Sequence, residues 1–123
     1  MRIKRLMIAG AAVLLAGCAH AGGFSGKWVP VRGDQLMLIV TNIGSGRYSV
    51  IEKHQVPIWN TTRTGWRVWV VYEFTRHGNQ LDGHVKQIPQ AIVTLKHAGP
   101  GRLVFTSPDR GLFGPSIVFR RSR

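Results

Sequence analysis

The chain has little cysteine, few acidic residues and no long apolar run. Its one cysteine among 123 residues, Cys18, excludes a disulfide within the chain. Five Asp and Glu stand against 17 Lys and Arg, so chemistry that needs paired carboxylates has few candidates. The longest apolar stretch, residues 6–16, has eleven residues, whereas a transmembrane helix needs about 20. These absences favour one small domain that is stabilised by packing and backbone pairing, without disulfide cross-links.

Patterns typical of catalytic and metal sites are also missing. No serine lies in a Gly-x-Ser-x-Gly setting, the usual context of a nucleophile in α/β-hydrolases. The five histidines form no His-x-His pair, and metal sites need convergent ligands. We therefore predict no catalytic residue, no metal site and no enzymatic activity.

The amino-terminal segment has the parts of an export signal. A basic start, residues 1–5, precedes the apolar run 6–16 and then small residues. The string Leu15-Ala16-Gly17-Cys18 resembles the lipobox of bacterial lipoproteins. That resemblance implies cleavage after Gly17, a diacylglycerol on the Cys18 thiol and an N-acyl chain such as palmitate, with no other cofactor. The alternative is an ordinary signal peptide that happens to contain one cysteine.

The predicted organisation is a helical signal peptide over residues 1–17, a lipidated flexible tether over 18–23 and one domain over 24–123. Ala19 follows the cysteine. In the Gram-negative lipoproteins that this signal resembles, Asp at that position retains the protein in the inner membrane. The resemblance therefore implies the outer membrane, with the domain on its periplasmic face.

The mature domain is strongly basic. Three of the 17 Lys and Arg lie in the predicted signal, which leaves 14 against five acids and a net charge of +9. Such a charge attracts anionic surfaces, which include phospholipid headgroups and acidic proteins. Nucleic acid is not expected as a partner outside the cytoplasm. The alternative is a solvated basic face with no dedicated partner.

From Phe24 onward the sequence predicts an all-β domain. Segments rich in Val, Ile, Thr and aromatic residues alternate with glycine- and proline-containing turns, a pattern typical of consecutive antiparallel strands. The predicted strands are 27–31, 35–41, 47–54, 66–75, 80–86, 91–97, 102–106 and 116–121. The predicted turns are 33–34, 44–46, 78–79, 88–89 and 99–101, with longer connections at 55–65 and 107–115. We predict a small eight-stranded antiparallel up-and-down barrel, with a two-sheet sandwich as the competitor.

The inward face follows from the alternation of side chains along each strand. In the longest predicted strand, one side carries Trp66, Val68, Val70, Tyr72 and Phe74, which we expect to face the core. The same alternation predicts inward side chains at Leu36, Leu38 and Val40 in the second strand and at Tyr48 and Val50 in the third.

Gly26-Lys27-Trp28, at the start of the first predicted strand, resembles the opening motif of lipocalins and the shorter avidin-type barrels. In those families a tryptophan plugs one end of the barrel, and lipocalins place an arginine of the last strand over it. The resemblance implies that Arg120 or Arg121 stacks on Trp28. The interior is either a ligand cavity or is filled by side chains.

Tryptophan and arginine alternate in the middle of the chain, which makes Trp59, Arg63, Trp66, Arg67 and Trp69 candidates for contact with a ligand or partner. Such a mixture suits a membrane interface, an anionic polymer or a glycan. The alternative is that the tryptophans fill the core and the arginine stems cover it.

Our first functional hypothesis is an outer-membrane lipoprotein that acts as a non-enzymatic periplasmic binding module. Its membrane contact is the lipid anchor, and its partner is an acidic protein or a small apolar ligand. The second is a periplasmic enzyme inhibitor, because residues 44–48 faintly resemble the Ser-Gly-rich loop of periplasmic lysozyme inhibitors. Lysozymes are usually basic, however, and a +9 domain would repel one. The third is a structural subunit of an envelope assembly.

Overall fold

The computed structural model of the protein describes residues 23–107 and 116–122. The predicted signal peptide, tether residues 18–22 with Cys18, and connection residues 108–115 lie outside this range. The strands are β1 (Gly26–Pro30), β2 (Leu36–Gly44), β3 (Arg47–Pro57), β4 (Thr64–His77), β5 (Gln80–Val85), β6 (Ile88–His97), β7 (Arg102–Thr106) and β8 (Ser116–Arg121). No helix in the described ranges has the length and apolar character to cross a membrane.

Each strand pairs antiparallel with the next, and β1 also pairs with β8, so the sheet closes on itself. This confirms the predicted eight-stranded up-and-down barrel and excludes the sandwich. Closure joins the two edge strands that an open sheet would leave exposed. The register that closes the barrel sets Trp28 opposite Arg121 and Pro30 opposite Phe119.

Local sequence explains the tight turn between β2 and β3. Gly44 pairs with Arg47, which leaves a two-residue loop of Ser45 and Gly46. Both have positive φ, 56° and 74°, as in the turns whose twist matches a hairpin. The Gly-Ser-Gly string that resembles an inhibitor loop therefore forms a tight hairpin turn.

Two features of the strand prediction were wrong. The turn placed at 88–89 lies inside β6, and the chain instead turns at Lys86 and Gln87. Pro89 is tolerated there because the pairing of β6 with β7 begins only at Thr94, so its missing N–H interrupts no bond to β7. Strands β3 and β4 also extend into the segment 55–65, which was predicted to be a loop.

The core consists of inward side chains from all eight strands and from Phe24. The predicted inward positions in β2 and β3 are confirmed, since Leu36, Leu38, Val40, Tyr48 and Val50 are all buried. The other buried apolar side chains are Trp28, Tyr72, Phe74, Leu81, Val93, Leu95, Leu103, Phe105 and Phe119. Side chains therefore fill the middle of the barrel, as expected for this number of strands.

One end of the barrel is closed by Trp28, which is fully buried. Its indole Nε1 donates a hydrogen bond of 2.8 Å to the carbonyl oxygen of Phe24. The guanidinium carbon of Arg121 lies 4.3 Å from the centre of the indole ring. Nη1 of the same arginine donates to the carbonyl of Ser25 at 2.8 Å, and Nη2 donates to that of Gly23 at 3.1 Å. Arg121 thus ties the last strand to the chain that precedes β1.

Of the two arginines predicted to cover Trp28, the structure places Arg121 there and not Arg120. Arg121 is the cross-strand partner of Trp28, so both side chains lie on the same face of the sheet. Arg120 pairs with Val29, and its side chain is exposed. Alternation along β8 assigns the two arginines to opposite faces.

Candidate functional site

A long hairpin extends past the other end of the barrel. Its two strands, β3 and β4, pair as far as Pro57 and Thr64, whereas β4 pairs with β5 only from Tyr72 onward. In the part of the chain that the structure describes, no strand pairs with residues 64–70 on the side away from β3. We call residues 53–70 the tryptophan hairpin.

The tip of the tryptophan hairpin is held by its own hydrogen bonds. Ile58 N–H donates to the carbonyl of Arg63 at 2.9 Å, and Thr61 N–H donates to that of Ile58 at 3.1 Å. The Thr61 hydroxyl also donates to Ile58 O and accepts from Arg63 N–H. Asn60 adopts the left-handed conformation, with φ of 61°, as asparagine commonly does in turns. The tip is therefore a defined turn in which the N–H groups of Ile58, Thr61 and Arg63 have partners.

A β-bulge at Trp69 reverses the faces of β4. Glu52 pairs with Val70 and Lys53 pairs with Val68, which leaves Trp69 as an extra residue. Trp69 stacks on His54 with ring centres 4.8 Å apart. An extra residue moves every later side chain to the opposite face. The prediction that Trp66 and Val68 face the core was therefore wrong, whereas Tyr72 and Phe74, on the other side of the bulge, are buried as predicted.

The structure brings all five candidate contact residues onto the tryptophan hairpin. Trp59 is 88 % exposed, Trp69 61 % and Trp66 36 %, and the side chains of Arg63 and Arg67 are exposed as well. These exposures rule out the alternative that the three tryptophans fill the core. Ile58 and Val68 add exposed apolar surface. The register places Trp66 and Val68 on one face of the hairpin, whereas Trp69 stacks on His54 on the other face.

The charge of this element has one sign. Residues 53–70 include Lys53, Arg63 and Arg67 but no Asp or Glu. The nearest carboxylate in sequence, Glu52, is 1 % exposed and faces the barrel interior. The tryptophan hairpin therefore presents aromatic and basic side chains, and the one acid adjacent to it in sequence, Glu52, is buried.

A buried polar cluster lies at the base of the hairpin. The Tyr72 hydroxyl donates to Oε1 of Glu52 at 2.5 Å, and His54 Nε2 lies 2.5 Å from Oε2. His54 is 15 % exposed and stacks on Trp69, so the cluster joins the barrel core to the hairpin surface. These three side chains connect β3 and β4 at the base of the hairpin through hydrogen bonds to Glu52.

This cluster was missed in the sequence, although a signal for it was present. The inward alternation of Tyr48 and Val50 continues to Glu52 and His54, and that of Phe74 continues to Tyr72. Burial of an acid is unfavourable without partners, and one of the two partners of Glu52, Tyr72, comes from another strand. Without knowledge of the register between β3 and β4, the sequence does not bring them together.

The other side chains that could bind a metal ion meet at most in pairs in the described part of the chain. Across the described ranges, no group of three or more His, Cys, Asp and Glu comes together as a metal site would require. His84 lies 3.8 Å from Glu73, and His77 lies 4.0 Å from Asp82.

A cavity of about 980 Å3 lies beside the connection between β1 and β2. Its lining includes Val31, Leu36, His54 and Ile117 together with the side chains of Arg32 and Arg102. Its size lies within the usual range for sites of small ligands. The small apolar ligand expected from the sequence remains a prediction.

No family model matches the chain, and neither does any curated protein or solved structure. The protein is defined by its fold as a closed eight-stranded antiparallel barrel, with one end covered by Trp28 and Arg121 and a basic tryptophan hairpin at the other.

Proposed function

We propose that this protein is an outer-membrane lipoprotein that acts as a non-enzymatic binding module on the periplasmic face, and that the tryptophan hairpin is its binding surface. The lipobox string that ends at Cys18 supports the anchor, and Ala19 supports the outer membrane. Two or more acyl chains attach a protein stably where a single chain does not.

The exposure of Trp59 and Trp69 is the observation that carries the binding role. A tryptophan left in water keeps a large apolar surface unburied, and tryptophan and arginine are the residues most enriched at the centres of binding interfaces. Both lie on a hairpin whose tip is fixed by internal hydrogen bonds, so little conformational freedom is lost on binding.

An enzyme inhibitor remains the second candidate, in the form that inserts residues 55–65 into a target. The protruding hairpin favours this version over the one based on residues 44–46, which form a tight turn. The two candidates share a surface and differ in the partner that it contacts.

Replacing Cys18 by serine tests the anchor. We expect Cys18→Ser to move the protein from the membrane fraction to the soluble periplasmic fraction, because the thiol that would receive the diacylglycerol is absent. The measurement is fractionation of the envelope with detection of the protein, and mass spectrometry of the unaltered protein supplies the acyl mass. Full retention of the variant in membranes washed with high salt, which removes protein attached by charge, would contradict a lipid anchor.

Site-specific photo-crosslinking tests the binding surface in intact cells. A photo-reactive phenylalanine derivative in place of Trp59 should give crosslinked products. The same derivative in place of Ile43 should give none, since Ile43 is a comparably exposed apolar residue at the other end of the barrel, 53 % accessible. Crosslinks of equal yield at both positions, or no crosslink from position 59 to either protein or lipid, would count against the hairpin as the binding surface. A crosslink from position 59 to an enzyme whose activity the protein blocks would support the inhibitor.

A further inference from the structure

We infer that the tryptophan hairpin docks on the surface of an anionic phospholipid bilayer and inserts its tip, Ile58 and Trp59, among the headgroups. This inference rests on the proposed function, because it assigns a partner to the same surface. It names the bilayer, and not a protein, as what the surface contacts.

The first argument is the composition of the tip. Ile58 is 37 % exposed and Trp59 is 88 % exposed, and both lie in the turn between β3 and β4. Tryptophan is favoured at the boundary between headgroups and acyl chains, where its ring is apolar and its N–H remains hydrated. Ile58 packs over Gly65, since a Cβ at Gly65 would lie 3.3 Å from Ile58 Cδ1. The tip thus presents one strongly exposed apolar side chain, Trp59, next to the polar residues 60–62, while Ile58 packs back against the hairpin.

The second argument is that the backbone of the tip has its own partners. A loop that enters a region of low water content must satisfy its polar groups internally. The carbonyls of Ile58 and Arg63 and the N–H groups of Ile58, Thr61 and Arg63 are all paired within the turn. The turn can therefore enter the headgroup region without losing these bonds to water.

The third argument is charge complementarity. Lys53, Arg63 and Arg67 lie on the hairpin with no acid among residues 53–70. Each basic residue close to an anionic membrane surface strengthens attraction by about 1 kcal/mol, roughly fivefold in affinity. A second copy of this chain is disfavoured as the occupant, because contact between two such hairpins would bring like charges together.

The geometry of the barrel allows the lipid anchor at one end and the hairpin tip at the other to contact the same membrane. Gly23 lies at the end closed by Trp28, whereas the tip lies at the opposite end, because successive strands run in opposite directions. Along β4, from His77 to Thr64, the separation is about 40 Å at roughly 3.3 Å per residue. A chain anchored at Cys18 and docked through the hairpin therefore lies on its side along one leaflet.

Vesicle binding tests this inference without the lipid anchor. The probe is phosphatidylcholine vesicles with and without phosphatidylglycerol, and the protein is the chain from residue 18 with Cys18→Ser, which contains the whole closed barrel. We expect binding only to the anionic vesicles, weakened by salt. Binding should shift the tryptophan fluorescence to the blue and allow brominated acyl chains to quench it. Both changes report on the tryptophans of the hairpin, because Trp28 is already buried in the barrel and does not change its surroundings.

Matched variants separate the hairpin from general basicity. Arg63→Gln with Arg67→Gln should lower affinity for anionic vesicles about 25-fold, at roughly fivefold for each charge. Arg120→Gln with Lys96→Gln, which removes two exposed charges from β8 and β6, should lower it much less. Trp59→Ser should abolish the quenching, whereas Ile43→Ser should retain it. Unchanged urea midpoints would show that the variants remain folded.

Two results would overturn the inference. The first is binding that does not depend on phosphatidylglycerol, and the second is equal loss in the hairpin and control variants. If vesicle binding fails while position 59 crosslinks to a protein in cells, the hairpin still binds a partner but the partner is not a bilayer. If both fail, the proposed binding surface is also wrong.

Discussion

Replacing Tyr72 by phenylalanine should lower the free energy of unfolding by about 3 kcal/mol, because it removes a hydrogen-bond donor from a buried carboxylate. Glu52 is 1 % exposed, and the Tyr72 hydroxyl donates to its Oε1. Phenylalanine fills almost the same volume, so the loss reflects the polar contact and not a cavity. Urea denaturation of the Cys18→Ser chain is the measurement.

The double variant Glu52→Leu with Tyr72→Phe provides the control. It removes both groups of the hydrogen bond between Tyr72 and Glu52 and replaces them with apolar side chains of similar size, an exchange that is often neutral or stabilising in proteins. His54, the other partner of Glu52, is 15 % exposed and keeps contact with water. We expect it to be more stable than Tyr72→Phe alone, although it carries one more substitution. A Tyr72→Phe variant as stable as the unaltered protein would show that the contact contributes nothing. If the double variant loses as much stability as the variants Tyr72→Phe and Glu52→Leu lose together when measured separately, the two residues act independently.

The same cluster shows what the sequence could and could not predict. Alternation and turn residues were sufficient for eight strands and their order, because each strand keeps a period of two and each tight turn needs residues such as Gly46. The contact between Trp28 and an arginine of the last strand was expected from the resemblance to lipocalins, which left Arg120 and Arg121 open. The register between β1 and β8 decides for Arg121. The hydrogen bond between Tyr72 and Glu52 could not be predicted, because it depends on the register between β3 and β4.

The tryptophan hairpin was only partly predictable for a related reason. Its aromatic and basic composition is visible in the sequence, and all five candidate residues lie on it. The alternation in β4 nevertheless indicated a buried Trp66 and Val68, because it assumed a strand without interruption. The bulge at Trp69 adds one residue and reverses the two faces, and no single residue type marks a bulge of this kind. The length of the hairpin was also missed, since Pro57 and Gly65 are typical of loops.

We expect the second large loss of stability from a substitution at the closed end of the barrel. Trp28→Ala should destabilise the protein by about 4 kcal/mol, because it leaves a cavity where a fully buried indole packed. The substitution also removes the donor to the carbonyl of Phe24 and the ring beneath Arg121. Urea denaturation is again the measurement, and a loss below about 1 kcal/mol would mean that the core closes without Trp28.

Substitution of the two neighbouring arginines separates the covering contact from charge alone. Arg121→Ala should cost about 2 kcal/mol, because the guanidinium stacks on Trp28 and donates to the carbonyls of Ser25 and Gly23. Arg120→Ala, which removes the same charge from the outer face, should change stability by less than about 0.5 kcal/mol. Arg121→Lys should recover little, because an ammonium lacks the planar fork that stacks on the indole while donating to two carbonyls. Equal effects at both positions would mean that net charge, and not the contact with Trp28, sets the stability of this end. In that case the backbone pairing of β1 with β8 would be enough to close the barrel, and the Arg121 side chain would add nothing to it.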